Sequence, residues 1–287
     1  MILSIGEILA DVVMQNDGSM QAYLGGAPFN AAVAAAKAGA KTRFLGRIGD
    51  DPMGKFLDRE VKKYPLETIL QVDPVRPTTL AFVSIDEKGE RDFKFLRHDA
   101  ADAQIEPDPA VFDGVTTVHL GSLMLSEENG RKIADFVKNK ARERGAKFSY
   151  DVNFRSDIFR DRKTAIDAAL PCVFAADIVK FSEEETEILF GKPYADALRE
   201  EIGNPLAVVT LGKKGCAVKF RDEIFIVPTI AVEPVDTTGA GDAFFGTLLA
   251  CLDGVDLNAL KKEELTAYVL RANEAGARAT QHKGALS

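Results

Sequence analysis

The sequence is poor in the residues that form disulfides and zinc sites. Its 287 residues include only three cysteines and three histidines. Cys172, Cys216 and Cys251 are widely spaced and lie in apolar surroundings, which indicates reduced core thiols and neither disulfides nor a metal cluster. The histidines share no spacing typical of zinc ligands. We therefore expect a cytoplasmic protein without a zinc site.

Long apolar runs and an excess of positive charge are also missing. No uncharged stretch of about 18 residues is apolar enough to span a bilayer, and the first residues do not resemble a secretory signal. The formal net charge is −8, which argues against nonspecific binding to nucleic acid or to an anionic membrane surface. We expect no nucleic-acid partner and no membrane association.

What the chain does contain is a regular alternation of strand and helix patterns. Hydrophobic residues make up 46% of it, enough for a large core in one big α/β domain. Strands are predicted at residues 1–5, 42–48, 117–120, 147–151, 178–181 and 206–210, and helices at 30–38, 128–144 and 183–190. This order predicts right-handed crossovers and a mostly parallel sheet covered on both faces. Sites in such sheets lie at the carboxyl ends of the strands.

Two stretches, at about residues 9–24 and 78–98, interrupt the alternation. The first has strand character on either side of an Asn-Asp-Gly turn at 16–18, and the second is predicted as two strands, 79–86 and 91–96, joined by residues 87–90. Paired with each other, the two hairpins would form a small β-lid that excludes water from the active-site edge. The alternative is that they are surface decoration.

A glycine-rich segment precedes an apolar helical pattern near residue 242. Glycines at 239 and 241 can adopt backbone dihedrals closed to other residues and let a ligand approach the main chain. The amides of Gly239, Ala240 and Gly241 would therefore lie at a helix N-terminus, where they can hold a phosphate. Asp242 either caps this helix or accepts the proton of a hydroxyl that attacks a phosphoryl group.

Two other glycine patterns are misleading. Residues 49–56 match the spacing of a P-loop, but Phe56 replaces the Ser or Thr that should bind magnesium, and two aspartates would repel phosphate. The glycines at 239 and 241 lack a third glycine at the spacing of a dinucleotide fingerprint. We expect neither a P-loop nor a nicotinamide site.

Two longer motifs resemble the signatures of a known family. Residues 25–32 (Gly-Gly-Ala-Pro-Phe-Asn-Ala-Ala) through 46–54 (Gly-Arg-Ile-Gly-Asp-Asp-Pro-Met-Gly), taken with 236–244 (Asp-Thr-Thr-Gly-Ala-Gly-Asp-Ala-Phe), resemble those of the ribokinase-like, or phosphofructokinase-B type, sugar kinases. The similarity extends over nearly the whole chain. It implies an ATP-dependent kinase with a single α/β domain over residues 1–287, a ribokinase-like three-layer sandwich with a mostly parallel central sheet and a small β-lid.

The resemblance also implies roles for individual residues. Asp242 would deprotonate a sugar hydroxyl while the three amides before it form an anion hole. The residues expected to bind the sugar are Asp11, Gly25, Gly26, Asn30, Arg97, Asn153 and Arg155. The residues expected at the nucleotide are Thr210, Gly212, Gly215 and Asn273. The local sequence leaves simpler alternatives open, because Asn30 could cap a helix, residues 210–215 could form only a turn, and Asn273 could lie on a solvated face.

The implied cofactors are ATP and Mg²⁺, with a monovalent cation such as K⁺ as a third candidate. Glu185 would organise the magnesium ion through water. Asp236 and Thr238 match positions that bind the monovalent cation, although Asp236 could equally cap its loop. Ser182 stands where many members carry Asn in an Asn-x-x-Glu motif, so we expect metal handling to differ in detail. After Ser287 we expect the usual C-terminal extension, and one cation-site position, to be missing.

Three local features concern the sugar. Ribokinases carry a glutamate where this chain has Gly121-Ser122, which resembles the fructokinase pattern. Residues 151–155 (Asp-Val-Asn-Phe-Arg) resemble a segment shared by fructokinases and 2-keto-3-deoxygluconate kinases. Arg97 could donate to hydroxyls or clamp a carboxylate.

We predict fructokinase-like transfer of the ATP γ-phosphoryl group to the primary hydroxyl of a ketohexose. The alternatives are a 2-keto-3-deoxygluconate kinase or another ribokinase-family sugar or nucleoside kinase and, from a different class, a sugar-binding homologue without turnover. Small-molecule sugar and ATP are the expected partners. The lid is also a candidate for pairing two copies into a homodimer.

Overall fold

A computed structural model describes residues 1–15, 17–85, 91–155 and 158–286. Its strands are β1 (Ile2–Ile5), β2 (Leu9–Met14), β3 (Met20–Gly25), β4 (Thr42–Gly49), β5 (Glu67–Asp73), β6 (Leu80–Ile85), β7 (Arg91–Leu96), β8 (Thr117–Leu120), β9 (Lys147–Asp151), β10 (Ile178–Ser182), β11 (Leu206–Thr210), β12 (Cys216–Phe220) and β13 (Glu223–Val227). Its α-helices are α1 (Ala27–Lys37), α2 (Pro52–Val61), α3 (Glu128–Glu143), α4 (Arg162–Ala175), α5 (Glu183–Phe190), α6 (Tyr194–Glu200), α7 (Ala240–Leu252) and α8 (Lys262–Ala279). Short 3₁₀ turns lie at Ala101–Gln104, Pro109–Phe112, Leu123–Ser126 and Gly212–Lys214.

Nine of the described strands form one large sheet, in the order β13-β12-β11-β10-β9-β8-β1-β4-β5. Strand β1 runs parallel to both neighbours and pairs Ile2 with Thr42 and with Thr117. At one edge, β12 and β13 run antiparallel to their neighbours. Because parallel strands end on the same side, the carboxyl ends of β1, β8, β9 and β10 meet along one edge of the sheet.

Helices pack against apolar side chains on both faces of this sheet. Successive residues of a strand point to opposite faces, so Val179 joins the core beneath α3 to α6, whereas Ile178 joins the core beneath α7 and α8. A third cluster packs α1 and α2 against β4, with the ring edge of Phe29 on Phe44 at a centroid distance of 5.0 Å. The result is a sheet between two helical layers.

The other four strands form a small sheet in the order β3-β2-β6-β7. Two antiparallel hairpins, β2 with β3 and β6 with β7, join through the parallel pair β2 and β6, where Ala10 lies opposite Leu80. Leu9, Ala81 and Leu123 pack together at the base of this sheet. The small sheet is therefore anchored beside the turn that follows β8, at the carboxyl edge of the large sheet.

The structure confirms the predicted fold class, a mostly parallel sheet flanked by helices with a small added sheet. The predicted strands and the pairing of the two hairpins are confirmed to within a residue or two. Helix α1 begins before the predicted residue 30, with Pro28 in its first turn, where proline is favoured. Asn16 in the first predicted hairpin turn, residue 86 and the connection 87–90 lie outside the described residues.

Cys172 and Cys216 are buried free thiols, and Cys251 is a half-buried one. Burial raises the pKa of Cys172 to about 11 and that of Cys216 to about 12. Among the described residues, no helix has both the length and the apolar character needed to cross a membrane.

Candidate active site

A cavity of about 700 Å³ opens at the carboxyl edge of the large sheet. The small sheet contributes Leu9, Asp11 and Phe95 to its wall, and the loop before α7 and the first turn of α7 contribute residues 234–239, 241 and 242. The cavity therefore lies where parallel-sheet proteins bind ligands.

Asp242 lies in the first turn of α7, half-buried on the cavity wall. Gly239 is the N-cap of this helix, and its φ of 76° is in the left-handed region that glycine adopts at little cost. Asn30 Nδ2, from α1, donates to Asp242 Oδ2 at 2.8 Å. The carboxylate is therefore held by another helix and faces the cavity, close to the amides of 239–241.

The electrostatic surroundings shift the proton affinity of Asp242. Burial, reinforced by the nearby charge of Asp151, raises its pKa to about 6, while the Asn30 hydrogen bond and the charges of Lys180 and Arg155 act in the opposite direction. The carboxylate is therefore ionised at neutral pH but is much more basic than an exposed aspartate, which suits a general base.

Lys180, in the middle of β10, and Asp151, the last residue of β9, form a buried ion pair. Lys180 Nζ lies 2.8 Å from Asp151 Oδ1 and 3.0 Å from Oδ2. A Cβ placed on Gly241 would lie 3.3 Å from the same Nζ. Burial lowers the pKa of Lys180, but the charges of Asp151, Glu185 and Asp242 outweigh this and raise it. The lysine is thus cationic, and it lies on the cavity wall.

The predicted sugar-binding residues of the first motif meet on one side of the cavity. Asp11 and Gly26 line it, and a Cβ on Gly25 would lie 2.4 Å from Asp11 Oδ2. Gly25 therefore makes room for the Asp11 carboxylate. Asn30 lies inside α1 and not at its cap, which is Gly26, so the capping alternative for Asn30 is wrong. The Asn30 Oδ1 atom is buried and accepts no hydrogen bond within the described part of the chain.

Glu7 forms part of the same wall, directly after β1. It is 1% exposed, and neither carboxylate oxygen has a hydrogen-bond partner among the described residues. Burial, its largest influence, raises the pKa of Glu7 to about 8 although its own backbone amide and Arg97 favour the ionised form. A Cβ on Gly121 would lie 2.5 Å from Glu7 Oε2, so glycine at 121 makes room for this carboxyl group.

The structure places Arg97 differently from the sequence prediction, which had it reaching into the sugar pocket. Its side chain is 1% exposed and is absent from the described cavity wall. It donates to Asp102 Oδ2 at 3.0 Å, to Ser126 Oγ at 2.5 Å and to Glu127 Oε1 at 3.2 Å. Two carboxylates therefore already neutralise the guanidinium group.

Asn153 and Arg155 both line the cavity, on the loop after β9. Asn153 has a φ of 35°, in the left-handed region that few residues other than glycine adopt. Its carbonyl accepts from Ser122 Oγ at 3.1 Å, and Phe154 N donates to Glu185 Oε1 at 2.9 Å. Two side chains thus hold this loop in the shape that presents Asn153 and Arg155.

The predicted nucleotide-binding residues lie outside the described wall of this cavity, and two of them contact the end of β13. Asn273 Nδ2 donates to the carbonyls of Val227 and Pro228, each at 3.0 Å. Gly215 approaches the same segment, since a Cβ added at this position would lie 2.1 Å from Val227 O. Thr210 ends β11, and Gly212 follows with a φ of 56°. Asn273 is buried, so it does not lie on a solvated face.

Two of the three predicted cation residues, the acids Glu185 and Asp236, accept hydrogen bonds from backbone amides. Glu185 Oε2 accepts from Ser182 N at 2.7 Å, and Ser182 Oγ accepts from Glu185 N at 3.2 Å, which is a capping box at the start of α5. Asp236 Oδ1 accepts from Thr238 N at 3.0 Å, and its Oδ2 accepts from Gly284 N at 2.7 Å. Asp236 thus joins the loop before α7 to the segment after α8.

Comparisons with known proteins identify the family. The model of the pfkB family carbohydrate kinases matches residues 1–287. The chain belongs to this family. Fructokinase from Vibrio alginolyticus is 33% identical over 287 residues, which cover 98% of this chain and 93% of that protein.

Solved structures of carbohydrate kinases have the same fold. Fructokinase from Vibrio cholerae O395, with fructose, ADP and a calcium ion bound, is 33% identical and superposes with a TM-score of 0.90 over 100% of this chain and 94% of that one. A double mutant of that enzyme holds fructose, ADP and a potassium ion. Fructokinase from Xylella fastidiosa with bound ATP is 28% identical, with a TM-score of 0.92 over 99% and 93% of the two chains.

Sequence reasoning missed two charged residues on the cavity wall of this carbohydrate kinase. Lys180 is a lone cation inside the apolar strand β10, and Glu7 is a lone acid between the apolar strands β1 and β2. A charge inside a buried strand or in the short link between two buried strands was the available signal, because such charges are seldom kept without a partner or a ligand.

Proposed function

We propose that this protein is an ATP-dependent fructokinase, which transfers the γ-phosphoryl group of ATP to a primary hydroxyl of fructose. The observation that carries the proposal is Asp242, a carboxylate of raised pKa held by Asn30 at the start of α7 on the wall of a polar cavity. The family match over the whole chain and the fructokinases with bound fructose, ADP or ATP support the choice of substrates.

In the proposed reaction, Asp242 accepts the proton of the attacking hydroxyl. The hydroxyl oxygen forms a bond to the γ-phosphorus as the bond from that phosphorus to the β–γ bridging oxygen breaks, and ADP leaves. The amides of Gly239, Ala240 and Gly241 hold the transferred group at the positive end of the α7 dipole. Chemistry of this kind depends mainly on position and charge.

We assign the sugar to the side of the cavity beneath the small sheet. Asp11, Asn153 and Arg155 hold its hydroxyls, while Gly25 and Gly26 allow close approach of the main chain. Asn30 uses its amide nitrogen for Asp242 and keeps its buried Oδ1 to accept from a sugar hydroxyl. We assign ATP to the neighbouring surface formed by Thr210, Gly212, Gly215 and Asn273, of which Gly215 and Asn273 contact Val227 and Pro228 at the end of β13.

Mg²⁺ fits this arrangement as an ion carried by the nucleotide. The described residues contain no cluster of three acidic, histidine or cysteine side chains that could hold a metal by themselves, and Mg²⁺ commonly keeps several waters and binds substrate phosphates. Glu185 would hold it through water, since each of its carboxylate oxygens retains a lone pair besides its backbone hydrogen bond. When bound, Mg²⁺ neutralises phosphate charge.

A monovalent cation also fits. Asp236 is a buried carboxylate beside the anion hole, and hard oxygen ligands suit such an ion. Asp236 and the oxygens of Thr238 would hold K⁺.

The competing substrate is 2-keto-3-deoxygluconate, a sugar acid, because Arg155 on the cavity wall could bind a carboxylate. Two observations favour the neutral ketose. Arg97 is already neutralised by Asp102 and Glu127. The wall nearest the sugar carries the acidic side chain of Asp11, which would disfavour a further carboxylate.

We further propose that residues 1–287 form one domain in which the small sheet acts as a lid. Leu9, Asp11 and Phe95 of this sheet already line the cavity. Met14, Met20 and Leu96 expose apolar surface on it, with exposed fractions of 58%, 58% and 56%, and such surface favours pairing with a second copy. The free thiols fit the reducing cytoplasm as the compartment.

Coupled release of ADP tests the proposed function. The purified protein is assayed with ATP, Mg²⁺ and a panel of fructose, ribose, 2-keto-3-deoxygluconate and nucleosides. We expect the highest kcat/KM with fructose. A higher value with ketodeoxygluconate would identify the sugar-acid kinase, and retained sugar binding without turnover of any compound would identify a binding protein.

A further inference from the structure

Lys180 is a charged residue that has no role in the reaction proposed above. It lies on the cavity wall, is 6% exposed and belongs to a strand otherwise filled with buried apolar residues. A buried ion pair is seldom a net source of stability compared with apolar side chains of similar size. Stability alone therefore does not explain why this lysine lies on the cavity wall.

The geometry around the ammonium group leaves capacity for a ligand. An ammonium group has three donors, and within the described chain its hydrogen bonds go to the two oxygens of Asp151. Because Gly241 has no side chain, Lys180 Nζ can lie close to the first turn of α7, where a Cβ on residue 241 would be only 3.3 Å from it. The remaining donor is thus available on the side of the proposed anion hole.

The reaction needs a cation at this place. Charge spreads over the three equatorial oxygens of a transferring phosphoryl group, and fixed positive groups stabilise it. Of the described residues that line the cavity, Lys180 and Arg155 are the cations. Lys180 is the more buried of the two and is held rigidly by Asp151, so it needs little reorganisation during the reaction.

We propose that Lys180 is a further catalytic residue, which donates a hydrogen bond to the transferred phosphoryl group while Asp151 fixes the position of its ammonium group. This inference deepens the proposed kinase function and rests on it. The groups that face Lys180 are Asp151 on β9, His119 on β8, Glu185 on α5 and Asp242 on α7. His119 is neutral, because burial and the charge of Lys180 lower its pKa to about 3.

The test separates direct contact from an effect through Asp242. Lys180→Met leaves Asp151 buried and unpaired, so that variant can fail to fold. The double variant Lys180→Met with Asp151→Asn leaves no unpaired buried charge. The double variant also removes the charge of Asp151, which raises the pKa of Asp242, and that of Lys180, which lowers it. The acidic limb of the pH profile of this variant should therefore remain close to that of the parent.

We expect the folded double variant to lose about 100-fold or more in kcat, as for removal of one donor to a developing anion, with the fructose KM within about threefold of the parent. Lys180→Arg keeps the charge and should recover at least about tenfold of that loss. Lys147→Met, a half-buried lysine that donates to Val255 O far from the cavity, is the matched control and should retain parental kcat.

Two outcomes are decisive. A double variant with kcat within about threefold of the parent overturns the inference, and so does Lys180→Arg with kcat as low as that of the double variant. Failure of the proposed function is recognised separately, because the parent would then be inactive with fructose in the same assay.

Discussion

Asp242 combines two properties that usually conflict. It is buried enough for its pKa to rise to about 6, yet it remains ionised at neutral pH because Asn30, Lys180 and Arg155 favour the charged form. A base with a pKa near the working pH can accept a proton in the transition state and release it afterwards.

Asp242→Asn tests this assignment. The substitution keeps the size of the side chain and removes the proton acceptor, so we expect kcat to fall by at least about 100-fold, while the fructose KM stays within about threefold. Steady-state kinetics measures both. Asp167→Asn, an exposed aspartate on α4 paired with Lys163, should behave as the parent does, and a similar kcat for Asp242→Asn and the parent would eliminate the proton-acceptor role.

The pH dependence of the parent enzyme follows from the same carboxylate. Protonation of Asp242 removes the base, so kcat/KM for fructose should fall as the pH drops through about 6, by about tenfold for each further unit. Rates between pH 5 and 8 measure this limb. A rate that stays nearly constant from pH 8 down to 5, as expected for an ordinary aspartate that titrates near 4, would show that burial does not tune this group.

At the scale of elements, close packing of α7 on α1 supports the site. Gly246 meets Ala31 across this contact, where a Cβ would lie 2.2 Å from Ala31 O. Only glycine permits such an approach, which brings Asn30 and Asp242, 212 residues apart in sequence, within hydrogen-bonding distance. The helix pair thus sets the orientation of the proposed base.

The small sheet contributes Phe95 to the cavity wall from β7. If this sheet excludes water during transfer, Phe95→Ala should open a path for water and raise ATP hydrolysis relative to fructose phosphorylation, by about threefold or more. Separate assays of phosphate release and of fructose phosphate formation give the ratio. Lys94→Ala, the exposed neighbour on the same strand, is the control, and an unchanged ratio in Phe95→Ala would refute the lid.

The elements that carry the site could be predicted where local patterns suffice. The glycines before α7 and six strands of the central sheet are short-range signals, and these appear where the sequence indicates. Strands β5, β12 and β13 were not predicted, and the residues of β5 are mostly half-buried and form no continuous apolar run. The partners of Arg97 could not be predicted from the sequence, because its contact with Glu127 depends on the packing of the small sheet against a turn 30 residues away.

For the molecule as a whole, proton uptake links the site to stability. Glu7 and Asp242 both have pKa values raised above their ordinary values of 4.5 and 3.8. The folded protein therefore holds these protons more tightly than the unfolded chain does. The stabilisation is complete at low pH and is lost as the pH rises, through about 6 for Asp242 and through about 8 for Glu7.

Between pH 6.5 and 8, Glu7 should dominate this loss. The lowered pKa of His119 acts mainly below its ordinary value of 6.5 and adds only a small opposing change above it, and the raised pKa values of the buried thiols matter only above pH 9. We expect the free energy of unfolding of the parent to fall by about 1.5 kcal/mol over this interval. Urea denaturation at the two pH values measures the change.

Glu7→Gln provides the decisive comparison, since glutamine keeps the shape of the protonated acid and cannot ionise. Its free energy of unfolding should change by less than about 0.5 kcal/mol between pH 6.5 and 8. Asp242→Asn is the matched control and should keep the slope of the parent, because Asp242 has already lost its proton in this interval. A parental slope in Glu7→Gln would mean that the buried carboxyl group ionises near its ordinary pKa in the folded protein.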